Sequence, residues 1–188
     1  MPQLRPFALL FSLGLLAACT TPPTQYLLAP EASAPQFRSR LASVEVRDIS
    51  LPRYATADSI ALMDETGAMI SDPNSVWADD PQRALTQGLA RQLHQITGAR
   101  VAAEPWPFAG PPSATLSVVV DQIYASDDGT VRMSGQYALA PIAANISDRS
   151  GSFDFPTAIN GEGPAAIADA HSRALVTLAA TIAQKALR

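Results

Sequence analysis

Apolar residues recur at every second position along two stretches in the second half of the chain. Leu116, Val118 and Val120 share one face of residues 115–125, and the same alternation runs through residues 130–139. Such alternation is typical of strands that bury one face and leave the other in solvent. The turn sequence at 126–129, which ends in Asp-Gly, separates the two stretches. The pattern therefore predicts an antiparallel hairpin.

Two other segments repeat apolar residues at helical spacing. Leu85, Leu89 and Leu93 lie four positions apart after Pro81, a residue that suits the first turn of a helix. Gly98 follows this stripe and is a typical helix stop. A second helix is predicted to open at residues 163–164. Its inward-facing residues are predicted to be Ile167, Ala174, Leu175, Leu178 and Ile182.

Shorter β-type segments precede and follow the first helix. Strands are predicted at residues 26–28, 41–46, 59–63, 68–70, 101–103 and 153–155, and a turn at 148–151. The order is strands, a helix, antiparallel strands and a second helix. This order predicts an α+β fold, a mostly antiparallel sheet with two main helices packed on one face.

The N-terminus has the pattern of a bacterial lipoprotein signal. Arg5 precedes an apolar run at residues 7–18, which ends in Leu-Ala-Ala immediately before Cys19. The run is shorter than the ~20 apolar residues that span a bilayer. Cys19 is also the only cysteine of the chain. We therefore expect Cys19 to be acylated, palmitate being a typical acyl chain, and to become the mature N-terminus.

This interpretation divides the chain into three parts. Residues 1–18 form the predicted signal peptide, 19–25 the lipidated cysteine and a short tether, and 26–188 a single periplasmic domain. The residue after the cysteine is Thr20 and not an aspartate, the usual signal for retention at the inner membrane. The prediction is therefore a protein anchored in the inner leaflet of the outer membrane and facing the periplasm.

Charge and motifs give little sign of catalysis. The net charge of −4 without a basic run argues against nucleic-acid binding. His94 and His171 lack the spacing of metal ligands, and no nucleophile motif occurs, so no metal, cofactor or enzymatic activity is predicted. The acidic pairs at 64–65, 79–80 and 127–128 are interpreted as turn and helix-cap residues.

Several short sequence blocks follow Cys19 in order. They are Tyr26-Leu27-Leu28, Val44-Glu45-Val46, Leu51-Pro52-Arg53-Tyr54 with Ile60, Trp77 with the leucines of the first helix, Leu116-x-Val118-x-Val120 with Tyr124, Asp128-Gly129, and Ser134-Gly135-Gln136-Tyr137. In this order, after a lipidation motif, they resemble the ABC-type transport auxiliary lipoprotein family, whose best-known members are the PqiC proteins. The chain departs from the family at Gln25, where a second tyrosine is common, and at Tyr137, where tryptophan is common.

The resemblance implies an auxiliary or docking subunit of an MCE-type ABC lipid transport system between the inner and outer membranes, which contributes to membrane integrity. The implied partners are an MCE-domain periplasmic protein and its ABC or membrane subunits, with a homo-oligomer as a further expectation. A member of this family is not expected to be an enzyme. Two other classes stay open: an assembly or activator lipoprotein of another envelope machine, such as a peptidoglycan synthase or a secretion pore, and an envelope hydrolase.

Two aromatic residues lie in the blocks that carry the resemblance. Tyr54 and Trp77 flank irregular segments, and aromatic side chains with a polar tip are favoured at interfaces. We expect them either to contact the MCE-domain partner or to fill the core. The two alternatives differ in whether alanine substitution lowers binding alone or binding and stability together.

Overall fold

A computed structural model of the chain describes residues 22–29, 36, 38–142 and 147–188. The predicted signal peptide and Cys19 lie outside these residues. Within them, neither helix combines the length and hydrophobicity needed to cross a bilayer.

The described residues form eight strands and two main helices. The strands are β1 (Thr24–Tyr26), β2 (Ser43–Val46), β3 (Ser59–Met63), β4 (Met69–Trp77), β5 (Arg100–Ala103), β6 (Ala114–Ser126), β7 (Thr130–Pro141) and β8 (Arg149–Ala158). The helices are α1 (Pro81–Thr97) and α2 (Gly163–Ile182), with a 3-10 helix at Arg53–Thr56 and a π-helical turn at Ala183–Leu187.

The long strand β6 organises the sheet. On one side it pairs with β7 in antiparallel fashion along nearly its whole length, and β8 pairs with the far side of β7. On its other side it pairs in parallel with β2 near its start and with β3 near its end. β5 then adds to β2 in parallel, β4 to β3 antiparallel, and β1 to β4 in parallel.

The predicted α+β class is confirmed. The hairpin of β6 and β7 has the predicted turn, and together with β8 it forms the longest ladders of the sheet, which are antiparallel. The four parallel pairings are short and were not part of the prediction. Several boundaries also differ. The first strand lies at Thr24–Tyr26 and not at 26–28, the strand predicted at 68–70 continues to Trp77, and β8 is longer than the predicted 153–155 and takes in part of the turn predicted at 148–151.

Local sequence determines both ends of α1. Pro81 occupies the first turn, and the carboxylate of Asp80 accepts a hydrogen bond from the backbone N–H of Arg83 at 2.7 Å. At the other end Gly98 adopts a left-handed φ of 66°, and its N–H donates to the carbonyl of His94 at 2.8 Å. The predicted start and stop of this helix are confirmed.

The two helices and one face of the sheet share a single apolar core. Leu89 and Leu93 of α1 and Leu178 and Ile182 of α2 are fully buried in it. The sheet contributes the alternating residues of its long strands, among them Leu116, Met133 and Leu139. The intervening residues of β7, such as Arg132 and Gln136, are exposed on the opposite face. The apolar stripes of the two helices and the alternating apolar residues of the long strands therefore pack together, as predicted.

Candidate partner-binding surface

The first sequence-predicted contact residue, Tyr54, lies on the 3-10 helix. Pro52 precedes this helix with extended backbone, and its carbonyl accepts the N–H of Ala55 at 2.9 Å. The hydroxyl of Thr56 donates to the carbonyl of Arg53 at 2.9 Å and closes the turn. The Leu-Pro-Arg-Tyr block thus forms a compact turn that places one aromatic side chain against the sheet.

The phenol of Tyr54 is attached to β6. Its Oη accepts a hydrogen bond from the backbone N–H of Ile123 at 3.2 Å. This N–H follows a register shift between Val120 and Gln122, where β6 bulges relative to β7. Burial raises the pKa of Tyr54 above its ordinary value of 10, so the phenol stays neutral at physiological pH. The half-buried ring also packs against the core.

The second predicted contact residue, Trp77, ends β4. Its backbone N–H donates to the carbonyl of Asp58 at 2.7 Å, and in the ladder it lies opposite Tyr26 of β1. Its half-buried indole meets the imidazole of His171 edge to face, with ring centroids 5.2 Å apart and planes at 72°. Trp77 therefore connects the end of β4 to α2.

His171 is buried beneath this indole. Its side chain is on α2, with 3% of the residue exposed, and Nδ1 lies 2.9 Å from the carbonyl oxygen of Ile167. Burial lowers the pKa of His171 from its ordinary value of 6.5 to about 4, although the hydrogen bond to Ile167 opposes the shift. The imidazole is therefore neutral near pH 7. Its burial and its contact with Trp77 place it in the core.

The Tyr54 and Trp77 segments meet around one small cavity. Ala55, Ile123, Trp77 and His171 all line it, and its volume is about 20 Å³. A space of this size holds about one water molecule, whereas small-molecule sites are typically of several hundred Å³. The geometry thus brings both sequence-predicted residues to one region, beside a space too small for a small-molecule ligand.

A strap formed by Leu28 and Ala29, which the sequence did not predict, borders the same region. Leu28 lines the cavity, and the backbone N–H of Ala29 donates to Oγ of Ser172 on α2 at 3.1 Å. The hydroxyl of Ser172 in turn donates to the carbonyl of Ala168 at 3.0 Å. The only sign of this contact in the sequence was Ser172, a serine in the middle of an apolar helical stripe. The strap brings the N-terminal segment over α2 beside Trp77.

The acidic pairs have the turn and cap roles that the sequence predicts. The carboxylate of Asp64 accepts hydrogen bonds from the hydroxyl and N–H of Thr66 and from the N–H of Ala68, which lower its pKa. Hydrogen bonds from Thr130 and Arg132 likewise lower the pKa of Asp128. In the part of the chain that the structure describes, no group of histidine, cysteine and acidic residues could hold a metal ion.

The Ser-Gly-Gln-Tyr block has a packing role. Gly135 lies opposite Phe153, and a Cβ at residue 135 would approach the carbonyl oxygen of Val119 to 2.1 Å. Tyr137 lies opposite Gly151, and a Cβ at residue 151 would come within 2.5 Å of the phenol oxygen. Each aromatic ring thus fills the space above a glycine of the neighbouring strand, a known way to stabilise glycine within a sheet. Gly135 and Tyr137 occupy buried-face positions in the alternation of β7, and those positions were the signal in the sequence for a packing role.

Comparison with known proteins places the fold and the family. No curated protein matches the chain. A crystal structure of an uncharacterised protein aligns with 17% identity over 81% of this chain and 98% of its own, with a TM-score of 0.68. Protein XCC0632 from Xanthomonas campestris aligns with 16% identity over 86% of this chain and 91% of its own, with a TM-score of 0.56. At these identities the likeness shows a shared fold alone.

A family comparison is more informative, because it covers most of the sequence. The model of the ABC-type transport auxiliary lipoprotein component family matches residues 26–183, so the chain belongs to that family.

Proposed function

We propose that this protein is the outer-membrane-anchored docking subunit of an MCE-type ABC lipid transport system. In this role one periplasmic domain, residues 26–188, is held by acylated Cys19 to the inner leaflet of the outer membrane and receives an MCE-domain protein. The protein catalyses no reaction itself. Loss of the subunit would impair lipid traffic between the membranes and weaken membrane integrity.

The observation that carries this proposal is the family match over residues 26–183. Membership in a lipoprotein family supports a membrane-anchored position in the envelope, and an auxiliary transport component implies association with an ABC transporter. The lipidation motif at Cys19 supports the same position independently of the fold. The family is an auxiliary and not a catalytic one, which supports a role in docking.

We place the docking surface around Tyr54 and Trp77. Both residues are half-buried, so part of each is open to solvent while the rest packs on the protein. The Tyr54 hydroxyl accepts from the N–H of Ile123, and the Trp77 N–H donates to the carbonyl of Asp58, and these bonds hold the two segments in place. A rigid, partly exposed aromatic pair loses little conformational entropy when a partner binds, which is typical of interface hot spots.

Affinity purification from detergent-solubilised envelopes tests the proposal. The tagged wild-type chain is expected to co-purify an MCE-domain protein and an ABC or membrane subunit. Recovery of a peptidoglycan synthase or a secretion protein instead would assign the chain to another envelope machine. Turnover of an envelope substrate by the purified chain, lost in His171→Leu, would support a hydrolase and contradict the docking role.

Alanine variants locate the surface. Tyr54→Ala and Trp77→Ala are expected to lower the melting temperature moderately, because part of each residue packs on the protein. They are expected to lose the MCE-domain protein even at temperatures at which the variants remain folded. Val119→Ala is the matched control, because Val119 is also an exposed apolar residue but lies on β6. If the two aromatic variants melt normally and still retain the partner, the docking surface lies elsewhere. If binding falls only in proportion to the loss of folded protein, the rings serve the core.

A further inference from the structure

The turn that joins β3 and β4, together with the first part of β4, forms an exposed end of the β3–β4 hairpin that carries apolar residues. Every residue from 65 to 74 is exposed, so both faces of this part lie in solvent. Met69 and Ile70 are 41% and 51% exposed, and their partners across the ladder, Met63 and Leu62, are also apolar. Leu62 packs against the core and Met63 is half-buried. Met69 and Ile70, on opposite faces of β4, are therefore the apolar side chains that the hairpin leaves exposed.

The N-terminal segment enters the fold from the same end. β1 runs parallel to β4, with Thr24 opposite Ser75 and Tyr26 opposite Trp77. Because the strands are parallel, the residues before Thr24 approach from the end at which β4 begins, and that is the exposed end of the hairpin. Cys19 precedes Thr24 by five residues, which span at most about 18 Å.

We propose that the β3–β4 hairpin rests on the membrane that holds the acyl anchor, with Met69 and Ile70 in the interfacial region of the lipid leaflet. This inference rests on the proposed acylation of Cys19. A tether of five residues keeps the domain close to the bilayer. The exposed end of the hairpin, on the side where the tether leaves, is the first part to meet the lipid. Apolar side chains that enter the interface add to the hold of the acyl chains and orient the domain.

The charge of the hairpin determines which kind of lipid surface it suits. Asp64, Glu65 and Asp72 are acidic, and no lysine or arginine occurs between Arg53 and Arg83. Anionic headgroups attract basic segments and, by the same electrostatics, repel carboxylates. The hairpin therefore suits a zwitterionic lipid surface, and its contact weakens as the fraction of anionic lipid rises.

A site-specific fluorescent probe tests this arrangement on the acylated full-length protein. Cys19 is the only cysteine, and acylation consumes its thiol, so a cysteine introduced by Met69→Cys is the only free thiol to label. Ile142→Cys is the matched control, because Ile142 is 57% exposed. It follows Pro141, which pairs with Ala114 at the start of β6, whereas Met69 lies at the other end of β6, opposite Met63, which pairs with Ser126.

The labelled proteins are floated with phosphatidylcholine vesicles that contain brominated lipid. The probe at position 69 is expected to shift its emission to the blue and to be quenched, whereas the probe at position 142 keeps its aqueous emission. Adding phosphatidylglycerol should reduce the quenching at 69.

Each other result contradicts the inference in a distinguishable way. Flotation with equally aqueous probes at both positions leaves the anchor intact and refutes the membrane contact. A protein that neither floats nor carries an acyl group by mass spectrometry refutes the proposed anchor, and the membrane contact with it. Shielding of position 69 only after an MCE-domain protein is added, without lipid quenching, assigns the hairpin to a protein partner instead.

Discussion

Mild acid should destabilise this protein through His171. Its imidazole is buried against Trp77, and the other residues that line the cavity beside it carry no charged side chain. A proton on this ring therefore has no carboxylate to compensate for its desolvation. The unfolded chain binds the proton near pH 6.5 and the folded protein only near pH 4. Protonation thus favours the unfolded state throughout the interval between these two values.

The difference between the two pKa values sets the size of the loss in the free energy of unfolding. The free energy of unfolding keeps the full contribution of a neutral His171 above pH 6.5 and loses it as the pH falls from 6.5 to 4. Each unit of pKa difference corresponds to about 1.4 kcal/mol, so a shift from 6.5 to about 4 corresponds to a loss of about 3 kcal/mol at most. At pH 5 the loss is about 2 kcal/mol, because the folded state is then still almost entirely unprotonated.

Urea unfolding at pH 7 and pH 5 measures this loss. The comparison is between the wild-type protein and His171→Leu, since any effect of the substitution that is common to both pH values cancels. Wild type should lose about 2 kcal/mol more than the variant between these pH values. Equal losses in the two proteins would show that His171 binds its proton as readily in the folded as in the unfolded state, and would refute this account of the Trp77 contact.

Three further predictions concern packing and processing. Gly135→Ala should cost about 3 kcal/mol or more in urea melts, because the new Cβ meets a backbone carbonyl, whereas Gly151→Ala should cost less, because the Tyr137 ring can move; equal costs would contradict this. Leu89→Ala and Leu178→Ala should each cost about 2–5 kcal/mol, and unchanged thermal melts would reject the shared core. Cys19→Ser should leave an unprocessed or soluble form by fractionation and mass spectrometry, and an intact Met1 on the wild-type membrane protein would refute the lipidation motif.

The parts of the fold that were predictable are those that neighbouring residues determine. Asp80, Pro81 and Gly98 specify the two ends of α1 through hydrogen bonds and backbone geometry within a few residues. The alternation in β6 and β7 and the turn between them likewise specify an antiparallel hairpin without reference to the rest of the chain. Local rules were sufficient in both cases, because the partners are close in sequence.

Contacts between distant segments were not predictable in the same way. The short strand β2 is parallel both to β5 and to the start of β6, and three or four residues of β-type sequence do not specify such partners. The sequence singled out Tyr54 and Trp77 as separate residues. It gave no sign that Trp77 contacts His171 or that the hydroxyl of Tyr54 reaches a bulge in β6. These contacts depend on how the helices pack on the sheet.

Photocrosslinking in living cells tests the docking role most directly. A photoreactive amino acid replaces Tyr54 or Trp77 in the full-length lipoprotein, and the control replaces Val119, an exposed residue on β6. The account predicts that illumination yields a covalent adduct at positions 54 and 77 that contains an MCE-domain protein, and none at 119. An adduct with only a peptidoglycan synthase or a secretion protein, or an MCE adduct at 119 but not at 54 or 77, would contradict it.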